Sequence, residues 1–353
     1  RNSSHKSLYQ MCLLLFFFLI ADGMLMYHVP LFITHAGFSE FHMGLIIGFS
    51  SVAGILFDLC MSRLIPHANF KKMFLVMLLV ASIFPLVLLK ATSLWMFLFG
   101  MIVWGIYYDL YNCGTLDFVS RVMPKNEHAT SFGLIDVFIA LGYLIAPIFA
   151  GFFTEGTKEM FFFFTVWFFL GIALFMYFFL NQSTKISEIS LTKRHSPIKW
   201  IKEFKMHALV AKTFFPVYIS STLLNMIESI YWIVAPLVVI TTAWSIEFGS
   251  LFLFSHELPA ILVGWFIGKI IDKHSKKRVG FFALLGASLF MMLFFIIKDP
   301  VFLIMLSFLC ACFTGIAWPA IKGAQADLVS EHKNFEQEIE LVQDTFTNLG
   351  FII

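Results

Sequence analysis

Charge is scarce in this 353-residue sequence. Only 13% of the residues are Asp, Glu, Lys or Arg, about half of the ~25% that is usual in soluble domains. So little charge cannot cover a water-facing surface, which excludes most soluble enzymes, nucleic-acid-binding proteins and secreted scaffolds. Hydrophobic residues make up 59% of the chain, including 46 Phe. Because each bilayer-spanning helix needs about 20 apolar residues, the chain has room for roughly ten to twelve spans.

Motifs for cofactors, nucleotides and catalysis are also missing. The five cysteines lie in apolar stretches and form no CxxC pair, so we interpret them as core residues; they are Cys12, Cys60, Cys113, Cys310 and Cys312. No Walker-type Gly-x-x-x-x-Gly-Lys-Ser/Thr occurs that would indicate ATP-driven pumping. Tyr108-Asp109 has no Gly-x-Gly-Asp partner, as an intramembrane aspartyl protease would require. We therefore predict a protein that is not an enzyme, with no cofactor, no metal site and no nucleic-acid partner.

Apolar runs bounded by charged or turn residues predict ten full membrane-spanning helices and the start of an eleventh. They cover residues 8–34, 43–62, 73–89, 94–116, 132–154, 160–180, 213–239, 249–271, 279–297 and 300–321, with the eleventh starting near 341. The period-2 alternation of barrel strands is missing, so these spans are helices. We expect the sequence to be a piece of a longer protein that is truncated within its eleventh helix.

The basic residues indicate an orientation. With a cytoplasmic N-terminus, 21 of the 24 Lys and Arg residues fall on the cytoplasmic side, leaving Lys90, Lys158 and Lys298 outside. This distribution follows the positive-inside rule. We therefore predict a multi-pass protein of the plasma membrane or a bacterial inner membrane.

One long polar segment, residues 182–208, follows the sixth span. It predicts a cytoplasmic connector between an N-terminal six-helix bundle, residues 1–181, and a C-terminal bundle, residues 209–353. Within the connector, Ile198, Ile201 and Phe204 recur every three residues among charged positions. This spacing suits either a short amphipathic helix on the inner leaflet or a simple tether between the bundles.

The two halves repeat the same pattern of residues at matched positions. Four pairs recur in the same order, at offsets of 206, 214, 210 and 208 residues: Asp22 with Glu228, Gly54-to-Asp58 with Gly268-to-Asp272, Asp117 with Asp327, and Asp136 with Asp344. Asp22 and Glu228 each precede a proline by eight residues. The order predicts a duplicated six-helix unit.

These motifs resemble those of the major facilitator superfamily. Gly268, Asp272, Lys273, Lys276 and Lys277 are similar to its loop signature, although Ser275 replaces a glycine, and Gly54, Asp58 and Arg63 form a reduced first copy. Gly142, Pro147 and Gly151 resemble the fifth-helix signature of the drug:proton antiporter-like branch, with two glycines replaced by alanine. The resemblance implies an all-α membrane protein, a six-plus-six helix bundle, with a substrate cavity between the bundles near the bilayer midplane.

Three acidic residues within predicted spans are the candidate proton or substrate-coupling sites. Asp22 and Glu228 lie mid-helix in spans 1 and 7, which line the cavity in the resembled fold. An intramembrane carboxyl group costs a few kcal/mol, so it must face a cavity or have a partner. Each could carry a proton or cation, or could be a neutral acid bonded to a neighbouring helix. Asp109, among tyrosines, could bind a cationic substrate or bond to a cavity tyrosine.

The remaining candidates line the cavity or close it. The predicted cavity residues are Tyr108, Tyr111, Asn112, Asn225, Tyr231, Trp232 and Trp318. No predicted cavity-lining stretch carries Lys or Arg, which disfavours anionic substrates. By the repeat, His256 and Glu257 fall at the outer edge of span 8. The predicted conformational latch consists of Asp58, Arg63, Asp117, Gly268, Asp272, Lys273, Lys276, Lys277 and Asp327, while Asp136 and Asp344 could equally be structural.

The resemblance implies a secondary active transporter that works by alternating access and is expected to be a monomer in the lipid bilayer. The first hypothesis is proton-coupled export of a small hydrophobic or cationic compound. One alternative is a proton-coupled symporter that imports a small neutral nutrient, because fold does not decide function. An alternative of another class is a transport-inactive receptor or assembly factor on the same scaffold.

Overall fold

The computed structural model describes residues 2–64, 69–151, 159–183, 200–241, 246–264, 266–271, 274–297, 299–332 and 335–352. Over these ranges the chain is helical and contains no strand. The helices are α1 (Asn2–His35), α2 (Glu40–Leu64), α3 (Phe70–Ala81), α4 (Phe84–Leu88), α5 (Leu94–Val122), α6 (His128–Gly151), α7 (Glu159–Ser183), α8 (Trp200–Thr241), α9 (Ile246–Gly264), α10 (Ile267–Ile271), α11 (Lys276–Phe294), α12 (Pro300–Glu331) and α13 (Glu336–Ile352). Each predicted span has its helix, with α3–α4 and α9–α10 forming one broken span each.

Local sequence sets where several helices begin and bend. The side chains of Asn69, Ser275 and Asp299 accept backbone N–H bonds from the first turns of α3, α11 and α12, which satisfies donors that a helix start leaves open. Helix α8 is kinked at Phe214, where φ is −110° and ψ is 16°. Pro216 follows two residues later and has no N–H for the helical ladder, which accounts for the bend.

The outer surface of the protein is apolar. Eight segments of the described residues are long and apolar enough to cross a membrane. Large side chains project from them, including Trp95, Phe41 and Phe282, which are 78%, 73% and 67% exposed. An apolar surface of this extent is stable against lipid tails and not against water. The prediction of an all-α membrane protein is confirmed.

The helices pack as two bundles that share three internal helix–helix contacts. In the first, α1 packs against α6, α2 against α5, and α3 against α5. In the second, α8 packs against α13, α9 against α12, and α11 against α12. In the repeat found in the sequence, α1, α2, α3, α5 and α6 correspond to α8, α9, α11, α12 and α13, so each of these three contacts of the first bundle has its equivalent in the second. The same correspondence relates two of the contacts that join the bundles, α2 with α13 and α6 with α9.

Glycines remove side-chain bulk at two close contacts between the bundles. A β-carbon added at Gly264 of α9 would lie 2.5 Å from the Gly133 carbonyl oxygen of α6. One added at Gly323 of α12 would lie 2.8 Å from the Ala129 α-carbon. Both contacts lie toward the end of the molecule that carries the α5–α6, α10–α11 and α12–α13 loops. We call this end the basic face.

Two helices extend further toward the basic face than their apolar runs predict. Helix α5 ends at Val122 rather than near residue 116, and α12 ends at Glu331 rather than near residue 321. The extra turns carry charged side chains. These side chains pair with other residues of the protein, so the helices can continue past the ends of their apolar runs. Helix α8 begins at Trp200, inside the predicted connector, whose residues 184–199 lie outside the described ranges.

Candidate functional site

A cavity of about 190 Å³ lies between the two bundles. Helices α5 and α6 of the first bundle and α8, α9, α12 and α13 of the second form its wall. Its polar lining is Tyr108, Tyr111, Asn112, Thr115, Asp136, Tyr143, Ser221, Asn225, Glu228, His256, Glu257, Thr314, Trp318, Lys322, Gln343, Asp344 and Thr347. Of the predicted cavity residues, the structure brings Tyr108, Tyr111, Asn112, Asn225 and Trp318 together here. The Trp232 side chain lies outside the described part of the chain.

Glu228 is held in the cavity wall by two side chains of the second bundle. Its Oε2 lies 3.0 Å from Nε2 of His256, and its Oε1 accepts a hydrogen bond of 3.2 Å from Nε1 of Trp318. The Tyr231 ring stacks on the His256 imidazole, with centroids 3.6 Å apart and 14° between the planes. Tyr231, predicted to line the cavity, therefore supports its wall from behind. A carboxyl paired with an imidazole can exchange a proton within the pair.

The sequence interpretation of His256 and Glu257 is wrong. Both were expected at the outer edge of their span, whereas both line the cavity and His256 is buried. Helix α9 begins at Ile246, so ten residues at 1.5 Å each carry His256 about 15 Å along the helix. The repeat offset of 214 residues equates His256 with His42, which lies only two residues after the start of α2 at Glu40, and α9 begins further upstream of the matched position than α2 does.

Asp22 lies one layer behind the cavity wall. It is 2% exposed and accepts hydrogen bonds from the Tyr107 hydroxyl at 2.6 Å and the Tyr143 hydroxyl at 3.2 Å. Tyr143 itself lines the cavity. These contacts match the second alternative for Asp22, a carboxyl group that is hydrogen-bonded to neighbouring helices. Its hydroxyl partner Tyr143 connects it to the cavity, a link that the sequence did not reveal.

Lys322 contradicts the expectation that the cavity wall carries no Lys or Arg. Its Nζ donates a hydrogen bond of 3.2 Å to Oδ1 of Asp136 in the opposite bundle and lies 4.6 Å from the centre of the Trp318 ring. The sequence placed Lys322 in a loop because the apolar run stops at residue 321. Trp318 and Lys322 are four residues apart on α12 and so share a face, which is the signal that could have located it.

Asp109 does not line the cavity, contrary to the prediction of a cation site there. It is 1% exposed, and its Oδ1 accepts a hydrogen bond of 2.9 Å from the Asn348 amide of α13. A helix turns about 100° per residue, so when Tyr108, Tyr111 and Asn112 face the cavity, Asp109 points to the α2–α13 contact. Asp109 is thus a residue of the bundle interface.

The predicted latch is only partly assembled from the predicted residues. Lys276 donates to both oxygens of Asp327, at 2.7 and 2.8 Å, and to the Lys125 carbonyl oxygen of the other bundle at 2.8 Å. Nδ1 of His128, also in the first bundle, lies 2.8 Å from Oδ1 of Asp327. His128 was missed by the sequence reasoning. This network joins the bundles at the basic face.

Two further ion pairs reinforce the same face, Lys125 with Glu331 and Arg121 with Glu336. Asp117 pairs with Arg121 and accepts the Phe70 backbone N–H at 2.7 Å, so it fixes the start of α3 within its own bundle.

The other predicted latch and motif residues that the structure describes lie outside the basic-face network. Asp58 is buried between α2, α5 and α13 and accepts a bond of 3.2 Å from Thr345, so it is not a residue of the basic-face latch. Gly268 packs against Thr130, and Lys277 is exposed. Gly142 packs against Leu19 of α1. The side chain of Arg63, residues Asp272 and Lys273, and the surroundings of Pro147 and Gly151 lie outside what the structure describes.

Comparison with known proteins agrees with this architecture. The E. coli fucose:proton symporter FucP is 15% identical, with a TM-score of 0.70 over 99% of this chain and 90% of that chain. The human organic anion transporter MFSD10 (TETRAN) is 14% identical, with a TM-score of 0.77 over 99% and 92%. A bacterial homologue of the iron transporter ferroportin, in an outward-facing state, is 10% identical, with a TM-score of 0.75 over 98% and 89%.

A search of curated proteins by sequence finds no match. The family model described as Major Facilitator Superfamily matches residues 11–334, which is most of the chain. Together with the duplicated bundles, the cavity between them and the multi-pass helices, this match makes the chain a member of the major facilitator superfamily, a family of secondary transporters.

Proposed function

We propose that this protein exports a small hydrophobic or cationic compound in exchange for protons. The observation that carries the proposal is the charge of the cavity wall. It holds four carboxyl groups, Asp136, Glu228, Glu257 and Asp344, against Lys322 and His256. Lys322 is already paired with Asp136, which leaves an excess of acidic groups facing the cavity. Acidic groups beside aromatic rings attract cations.

Glu228 and Asp22 are the proposed proton carriers. Glu228 faces the cavity within reach of His256 and Trp318, so a cationic substrate and a proton would compete for the same carboxyl. Asp22 would exchange its proton through the Tyr143 hydroxyl, its contact with the cavity wall. Competition between substrate and proton for one group links their transport in opposite directions.

Alternating access in this proposal depends on the basic-face network. In the described conformation the bundles are joined there by Lys276, Asp327, His128 and Lys125. The cavity would be reached from the opposite face, and the substrate would enter from the basic face once the bundles separate there. We place the basic face in the cytoplasm and expect a monomer, on the positive-inside distribution of charge.

The experiment is a substrate screen in proteoliposomes with an imposed pH gradient. Lipophilic organic cations, neutral amphiphiles, neutral sugars and organic anions are compared at equal concentration, with a pH-sensitive dye recording the direction of proton movement. We expect transport of the cations, coupled to protons moving the other way. Protons that move with a neutral sugar would instead establish the symporter, and no flux for any compound would favour the inactive receptor.

Glu228→Gln provides the matched variant for this screen. Loss of a charge-assisted interaction worth about 1.5–3 kcal/mol should weaken binding of an organic cation roughly 10- to 100-fold. Asp299→Asn is the control, since it removes a carboxylate from an exposed helix cap and leaves a residue that also caps helices well. Equal cation affinity in the Glu228→Gln variant and the wild type would contradict the proposal.

A further inference from the structure

A cluster of buried acidic side chains lies between the bundles, beside the cavity. Asp58 of α2 and Cys113 of α5 belong to the first bundle, and Asp344 of α13 belongs to the second. One ligating atom from each lies within 4.8 Å of the other two, and all three residues are buried. Asp109 is adjacent: its Oδ2 would be 2.6 Å from a β-carbon placed on Gly54, one helical turn before Asp58.

The hydrogen bonds described for these carboxyls come from neutral donors. Thr345 donates to Asp58, Asn348 to Asp109, and Asn112 and Cys113 to Asp344, the last over 3.8 Å from the sulfur. The Asp109 and Asp344 carboxyls are also within hydrogen-bonding reach of each other and can share one proton. Neutral donors leave the remaining negative charge of the three neighbouring carboxyls uncompensated. Burying unpaired charge of this kind is costly, so a cation or bound protons must balance it.

Two carboxylate oxygens of the cluster, Oδ1 of Asp58 and Oδ2 of Asp109, have no hydrogen-bond partner among the described residues. The Asp58 side chain is 1% exposed. A buried carboxylate oxygen without a donor is rare in native proteins and calls for a missing partner. A metal ion provides such a partner directly, because it bonds to the oxygen without needing a hydrogen.

We propose that Asp58, Cys113 and Asp344 bind a divalent transition-metal ion that bridges the two bundles. Carboxylates alone suit Mg²⁺, Ca²⁺ or Mn²⁺, whereas a thiolate shifts the preference toward Zn²⁺ or Fe²⁺. Two donors bonded to a tetrahedral zinc ion are about 3.3–3.8 Å apart, so the three ligand atoms, which lie within 4.8 Å of one another, would have to draw together by up to about 1 Å on binding. Asp109 is the nearest further carboxylate. Cys113 is a buried core residue, as the sequence indicates, and this assignment adds a metal-binding role to it.

The cavity gives the ion a route to the site. Asp344 and Asn112 line both the cavity and the cluster, so an ion that enters the cavity meets Asp344 first. On binding, the Cys113 thiol loses its proton to the cavity water and bonds through sulfur to the metal. Because the donors come from both bundles, separating α13 from α2 and α5 would break the donor set and release the ion. The site does not depend on which substrate the cavity takes.

The test uses the full chain in lipid nanodiscs, freed of metal with a chelator and titrated with Co²⁺. We expect a thiolate-to-cobalt charge-transfer band that saturates at about one ion per chain, as a single bridging site requires. Cys113→Ser should remove this band, and Asp344→Asn should weaken cobalt binding by at least roughly 10- to 100-fold, the loss seen even for outer-shell partners. Cys310→Ser, which alters a buried thiol bonded to the Ala287 carbonyl, is the matched control and should keep the band.

A band that persists in the Cys113→Ser variant, or cobalt affinity that is unchanged in Asp344→Asn, would overturn the site. X-ray absorption of the zinc-loaded wild type gives a second measurement that needs no variant. One sulfur and several oxygen ligands would support the assignment. Coordination by nitrogen and oxygen alone would place the zinc at another site, and no bound zinc at all would show that protons balance the cluster; either result would overturn the assignment.

Discussion

The basic-face network should control the conformation of the transporter, and Asp327→Asn tests it. Asp327 accepts hydrogen bonds from Lys276 at 2.7 and 2.8 Å and lies 2.8 Å from His128 of the opposite bundle. Its carboxylate therefore both binds the first bundle and orients Lys276 toward the Lys125 carbonyl oxygen. The variant keeps the shape and one acceptor but removes the charge.

The expected magnitude follows from the exposure of the network. The Asp327 side chain is 20% exposed and that of Lys276 is 14% exposed, so the contacts lie between surface ion pairs, worth about 0–1 kcal/mol, and fully buried charged hydrogen bonds. We take about 1–2 kcal/mol for the change. That corresponds to a roughly 5- to 30-fold shift in the equilibrium toward separation at the basic face.

The assay is single-molecule energy transfer between dyes on Asn126→Cys and His274→Cys. Both positions are exposed at the basic face, one on each bundle, so their distance reports separation there. Asp299→Asn, at the opposite end of α12, is the control and should leave the distribution unchanged. An identical distance distribution for Asp327→Asn and the wild type would refute the idea that this carboxylate holds the bundles together.

Three other variants test the rest of the account. Asp22→Asn should abolish transport driven by a pH gradient while expression in the membrane stays normal, and undiminished coupling in vesicles would remove Asp22 from the mechanism. Glu228→Gln should also flatten the pH dependence of cation transport, because His256 loses its charged partner; a wild-type pH profile would count against the pair. Gly264→Ala should destabilise the described conformation by about 1–3 kcal/mol, since the new β-carbon would lie 2.5 Å from the Gly133 carbonyl oxygen, and an unchanged dye distance would argue against this close contact.

The sequence predicts much of the fold because each membrane-spanning helix corresponds to a long apolar run of residues. Each span and the duplication are readable, since hydrophobic length and repeated motifs do not depend on tertiary contacts. The rotation of a helix about its axis is not readable in the same way. Tyr108 faces the cavity while the next residue, Asp109, faces α13, and an all-round apolar helix has no hydrophobic stripe to distinguish the two directions.

The charged residues of the site show a second limit. Lys322 lies past the apolar run, which predicts a loop there, whereas α12 continues to Glu331 and Lys322 pairs with Asp136 of the other bundle. His128 and Thr345 gain their roles in the same way, from contacts between residues more than 190 positions apart. Glu228 and Asp22 were found because a carboxyl group in a long apolar run is costly wherever it faces.

The most direct test of proton-coupled export is proton release on substrate binding. Purified wild-type protein in weakly buffered detergent solution is mixed with a transported organic cation, and the change in pH is recorded with a soluble indicator. If substrate and proton compete for the Glu228 carboxyl, the cation should release protons from the wild type and fewer from Glu228→Gln. Cation binding that releases no protons at any pH tested would contradict the mechanism.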